Sequence, residues 1–165
     1  VLTNCIDRMP TEMMIRTMTT LATTYFKGHD ATPLFNELVD AYELGAQSFL
    51  NKEFENLEKL VEAMSKNVNG AEQLLSQTNA VLRNWCKVAL PIQINMHHRG
   101  LTHRHSEGIM WKLRGLSIDL CNEHGLYNIG ERITGIMLNA FDRQLGFHQK
   151  LEEDLKQIQK LLNRS

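Results

Sequence analysis

What this chain has little of narrows it first. Of 165 residues, three are cysteine and three are proline. The cysteines, Cys5, Cys86 and Cys121, are odd in number and far apart. Two of them fall inside apolar helical patterns, where a thiol behaves as a small hydrophobe. A disulfide framework is therefore not expected, and a reducing cytoplasm is. No apolar run approaches the roughly 18 residues of a bilayer span, and the N-terminus lacks the charged-then-apolar order of a secretion signal. Charge of one sign is also scarce: 18 Lys and Arg stand against 19 Asp and Glu, a net charge of -1. No field of that size gathers phosphates or anionic lipid over a whole surface, so no nucleic-acid or membrane partner is expected. The chain starts at Val1 within a pattern and without an initiator methionine, which reads as a piece of a longer polypeptide.

Strand signals are missing as well. No run of five or more residues alternates apolar with polar, and helix is the economical reading throughout. Met14, Met18, Leu21 and Tyr25 stripe a first helix over Thr11 to Phe26. Thr32 and Pro33 have the chemistry of a cap followed by a first helical residue, and that helix is expected to end near Asn51. Phe54, Leu57, Val61 and Met64 mark a third from Lys52 to Val68, with Glu55–Lys59 and Glu62–Lys66 in the favourable order for ion pairs. Leu74, Leu75, Thr78, Leu82, Trp85, Val88 and Ala89 mark a fourth from Ala71 to Leu90. Pro91 predicts a break or kink. Pro91 to His105 reads as a connection, after which Ser106 is a good cap for a helix striped by Ile109, Leu113, Leu116 and Leu120. Gly125 suits the left-handed residue that ends it. Ile129, Ile133, Ile136 and Met137 stripe the next, and Phe147, Leu151, Leu155, Ile158 and Leu162 the last. Within the last, Glu152 is expected to face Lys156 and Lys150 to face Asp154. The expected fold is one all-α domain over residues 1–165. About seven helices form antiparallel hairpins, closed as a compact bundle or opened as a short right-angled stack.

One stretch carries a resemblance. Leu113 to Leu138, "LRGLSIDLCNEHGLYNIGERITGIML", resembles the helix, Gly-x-Tyr turn, helix of a tetratricopeptide-type (TPR-like) hairpin through Gly125 and Tyr127. Gly130 stands where that family uses alanine for close packing of its two helices. The family's first-helix Trp and Leu-Gly pair and its terminal proline are absent. The resemblance implies a helical scaffold that binds other proteins.

Chemistry gathers at "MHHRGLTHRHSE", residues 96–107, which holds four of the seven histidines. A zinc site needs three or four neutral ligands converging at about 2 Å, and ligands sharing a helix face are three or four apart. Here the spacings are one, five and two, and Arg104 sits between His103 and His105. A metal-dependent hydrolase or metal sensor using His97, His98, His103 and His105 is thus the alternative, not the first expectation. Glu152, Glu153 and Asp154 lie on a charge-patterned helix, and Glu123 and His124 are adjacent at a helix end. Neither set reads as acid-base machinery. No phosphate-cradling loop, dinucleotide fingerprint or serine elbow occurs. The expectation is a non-catalytic, cofactor-free adaptor that binds a peptide or partner helix through Arg99, Arg104, His103, His105 and Tyr127, with self-association as a further possibility.

Overall fold

The structure, a computed structural model, describes residues 31–141 and 145–164. The helix expected over Thr11 to Phe26, and Cys5, lie outside the described residues. Among those described there is no strand. Five helices follow one another: α1 (Ala31–Lys66), α2 (Ala71–His98), α3 (Arg104–His124), α4 (Tyr127–Ala140) and α5 (Leu145–Leu162). A short 3₁₀ turn, Val68–Gly70, joins α1 to α2, and Asn67 Oδ1 accepts from the Gly70 amide there. None of these helices is long and apolar enough to cross a membrane.

The all-α class stands, but among the described residues, where six helices are expected, there are five. The expected boundary at Asn51–Lys52 does not exist, because α1 runs unbroken for 36 residues. No glycine or proline lies between Gly45 and Gly70 to end it. Its apolar stripe also continues across the expected break: Leu50, Leu57 and Met64 are buried, with Phe54 and Val61 half-buried between them, at alternating steps of four and three. Pro33 lies in its first turn, where a missing amide hydrogen costs no helical bond. The cap assigned to the Thr32 side chain lies outside what is described.

A second correction concerns Pro91. Helix α2 passes through it and reaches His98, so the connection is only Arg99–His103. The turn after the proline is anchored from both sides. Ile92 is fully buried, Gln93 Nε2 donates to Ser106 Oγ at 2.9 Å, and Asn95 Nδ2 donates to Asn36 Oδ1 at 2.8 Å. Tertiary bonds of this kind offset the backbone bond that proline removes. Ser106 is correspondingly not a cap. Helix α3 starts two residues earlier, and Ser106 is fully buried inside its first turn.

Helices α1, α2, α4 and α3 pack around a common core in that cyclic order, and α5 lies against α4. Neighbours α1 and α2 are antiparallel, joined by the short turn at one end and by Asn36–Asn95 and Asp40–Arg99 at the other. Helices α1 and α3 run in the same direction, since Phe54 meets His105 and, further along both helices, Glu58 meets Lys112. So do α2 and α4, through Glu72–Arg132 and then Cys86–Ala140. The Arg99–His103 connection therefore crosses the end of the bundle.

Trp85, Met64, Ile92 and Met137 are wholly buried in the core. Each large apolar side chain removed from water contributes about 1.5–3 kcal/mol before conformational entropy is counted. The α3–α4 hairpin closes on Gly125, which takes φ 66°. Its two helices approach so closely that a Cβ on Gly130 would run into Cys121 Sγ. Ser117 Oγ donates to the Gly130 carbonyl at 2.9 Å across the same contact. On the final helix, Glu152 lies 3.6 Å from His148 one turn before it instead of meeting Lys156, and the expected Lys150–Asp154 pair is exchanged for tertiary contacts. Asp154 receives both Nε and Nη2 of Arg114, at 2.7 and 3.0 Å, and Lys150 lies over the Trp111 ring. The pair Glu62–Lys66 does form, at 2.6 Å.

Candidate functional site

The histidine-rich connection sits where α1, α2 and α3 meet. His103 is drawn inside: its side chain is 1 % exposed and its ring stacks on Trp85, centroids 5.9 Å apart and planes 20° apart. Nδ1 lies 2.5 Å from Ser106 Oγ, which already receives the Gln93 amide. That hydroxyl has its own proton to give, so Nδ1 is the acceptor and Nε2 carries the ring hydrogen. Nε2 lies 3.5 Å from Glu43 Oε1, too far and too poorly aligned for a hydrogen bond. Burial, and then the neighbouring His105, pushes the imidazole down to about 4, so it is neutral near pH 7. Burial and then Asp40 raise the Glu43 carboxyl above the ordinary range, against the opposing pull of His105 and Arg99.

Serine, histidine and glutamate thus stand in a row, an order that can activate a hydroxyl for attack. Access decides against that chemistry. Ser106 has no exposed surface, and one lone pair of its hydroxyl is held by Gln93. With its hydroxyl buried and engaged by both Gln93 and His103, the row is a buried polar joint between helices.

The other residues of this end face different ways. His97 and His98 are exposed on the last turn of α2, ring centroids 6.1 Å apart. His105 packs edge-on against Phe54 and lines a shallow recess of about 210 Å³ with Asp40, Glu43 and Gln47. The four imidazoles do not converge, and among the described residues no group of three or more His, Cys, Asp or Glu side chains is placed to hold a metal ion. Arg99 is turned back onto Asp40 at 2.5 Å, whereas Arg104 is exposed with no carboxylate in ion-pair reach among the described residues. Tyr127 is half-buried at the start of α4. It belongs to the α3–α4 turn and not to this cluster.

A larger concavity lies elsewhere, between α2 and α4. It has a volume of about 510 Å³, within the range of roughly 300–1,000 Å³ typical of binding pockets. Leu82, Leu90, Ile136 and Ala140 give it an apolar floor, and Cys86 lies among them with Sγ 3.9 Å from the Ala140 carbonyl. Arg83 and Lys87 stand on the α2 rim, and Asn79 and Asn139 complete the lining. Both cations are exposed, and among the described residues neither has a carboxylate within ion-pair distance.

None of these groove residues is a site candidate from spacing alone, because Leu82, Ile136 and Ala140 fit an ordinary core stripe. A signal was nevertheless present. No aspartate or glutamate occurs between Glu72 and Glu107, so Arg83 and Lys87, four apart on one helix face, repel each other with no acidic neighbour. Compared with known protein families, characterised proteins and solved structures, the chain finds no match in any of the three.

Proposed function

We propose that this chain is a non-catalytic interaction module that receives a peptide or helix of a partner protein in the groove between α2 and α4. The observation that carries this reading is an open apolar floor bordered by Arg83 and Lys87, two exposed cations with no carboxylate in ion-pair reach among the described residues. Burial of apolar surface supplies affinity at such a groove, and the rim supplies orientation. The closed Ser106–His103–Glu43 row favours a binding role over an enzymatic one. We also place the protein in the cytoplasm, on the odd number and wide spacing of its three cysteines. The hairpin likeness at Gly125 and Tyr127 agrees with a scaffold role, although the groove lies on the α2 side of α4.

The test is comparative capture. Full-length protein and its Ile136→Asp variant, matched in melting temperature, are used to retain proteins from the same cell extract. At least one protein held by the wild type and lost from the variant is expected. Identical retained sets would overturn the assignment of the groove.

A further inference from the structure

We infer that the occupant of the α2–α4 groove is an amphipathic helix carrying acidic side chains along one flank. This rests on the reading of the groove as an interaction surface and adds the chemistry of what fills it. Length comes first. The α2 lining runs from Asn79 to Leu90, eleven steps of about 1.5 Å, or roughly 16 Å, which matches three turns of a docked helix. An apolar stripe at i, i+3 or i+4, i+7 and i+11 covers that distance and fits the floor of Leu82, Ile136 and Ala140.

Charge comes second. Arg83 and Lys87 stand one turn apart on the same rim. The stretch from Gln73 to Ser106 contains no acidic residue at all. The opposite rim offers Asn139, which is neutral. Among the described residues, a helix lying in the groove meets positive charge on one side only, so carboxylates one turn apart on its matching flank relieve the Arg83–Lys87 repulsion. Basic residues at those positions would add to it. A nucleic acid is disfavoured as occupant, because two cations over an apolar floor do not make the continuous basic track that a phosphate backbone follows.

The experiment uses the full chain and two fluorescein-labelled synthetic helices of about 16 residues with the same leucine stripe. One carries glutamate, the other lysine, at the flanking positions. Binding is read by anisotropy at about 0.05 and 0.5 M salt. The glutamate helix is expected to bind about tenfold or more tightly than the lysine helix, with the difference shrinking at high salt. The paired reversal Arg83→Glu with Lys87→Glu, at exposed positions, is expected to invert the preference. Equal binding of both helices, abolished by Ile136→Asp, would overturn the acid preference and leave the groove reading intact. Binding of the glutamate helix that survives Ile136→Asp, or binding of neither helix, overturns the inference. So does tighter binding of a peptide of residues 11–26 of this chain, whose apolar pattern carries only Glu12 as acid.

Discussion

The imidazole of His103 lies flat over the indole of Trp85, 5.9 Å between centroids, and both rings are shut away from water. A neutral ring is comfortable there, and a charged one is not. The unfolded chain takes up a proton at the ordinary histidine value of 6.5, but the folded chain does so only near 4. The stability this difference confers is complete above about pH 6.5 and is lost as pH falls from there toward 4, by up to about 3 kcal/mol. The raised Glu43 carboxyl works the other way, since the folded state binds that proton more readily, and offsets part of the loss. Unfolding free energies from urea titrations at pH 7.5 and 5.5 are expected to separate by about 1 kcal/mol more in the wild type than in His103→Gln. Parallel pH dependences in the two proteins would remove His103 as the responsible group.

Gly130→Ala tests the tight α3–α4 contact. Alanine is favoured over glycine within a helix by about 1 kcal/mol. Here, however, its Cβ meets Cys121 Sγ and comes within 3.2 Å of the Ser117 carbonyl oxygen. Overpacking of this kind costs about 1–3 kcal/mol, so a net loss in melting temperature is expected. Combining it with Cys121→Ala makes room and is expected to recover most of that loss. An unchanged or raised melting temperature in Gly130→Ala alone would show that the helices part without cost.

Arg114 and Asp154 join α3 to α5 through two parallel hydrogen bonds, and both side chains are more than three-quarters shielded. Such a bidentate pair is worth more than an exposed one. Asp154→Asn is expected to cost about 1–2 kcal/mol and to raise amide exchange chiefly in α5, while α1 keeps its protection. Uniform loss of protection across all helices would contradict the view of α5 as an outer helix held by this pair.

Arg99 and Arg104 provide the contrast to the groove. Arg99 already satisfies Asp40, and their partial exposure limits the pair to about 1 kcal/mol or less. Reversing both arginines to glutamate is expected to leave capture of the groove-dependent partner unchanged, whereas Arg83→Glu with Lys87→Glu reduces it. The opposite pattern would return the binding surface to the histidine-rich end.

Side-chain periodicity predicts the helical class, the α3 stripe, the Gly125 terminus and the closing helix, because each of these rests on local spacing or on one residue's backbone freedom. It misplaces the Asn51 boundary, since polar residues on the outer face interrupt the eye and not the buried stripe of Leu50, Leu57 and Met64. It also misreads Pro91 to His98. Gln93 and Asn95 look like loop residues until their partners, Ser106 and Asn36, are brought beside them by the fold. The same blindness hides the groove. Arg83 and Ile136 are 53 positions apart, and only the packing of α2 beside α4 makes them two sides of one opening.

The crossing of the bundle end by Arg99–His103 also bears on biosynthesis. As the chain leaves the ribosome, α1 and α2 emerge before α3 and α4, so core side chains such as Trp85, Leu57 and Met64 then lack part of their final cover. Among the described residues, both flanks of that pair are covered only once α3 and α4 have been made, because each covers a different flank. An intermediate that holds α1 and α2 without α3 and α4 is therefore sticky, and the later helices close its core.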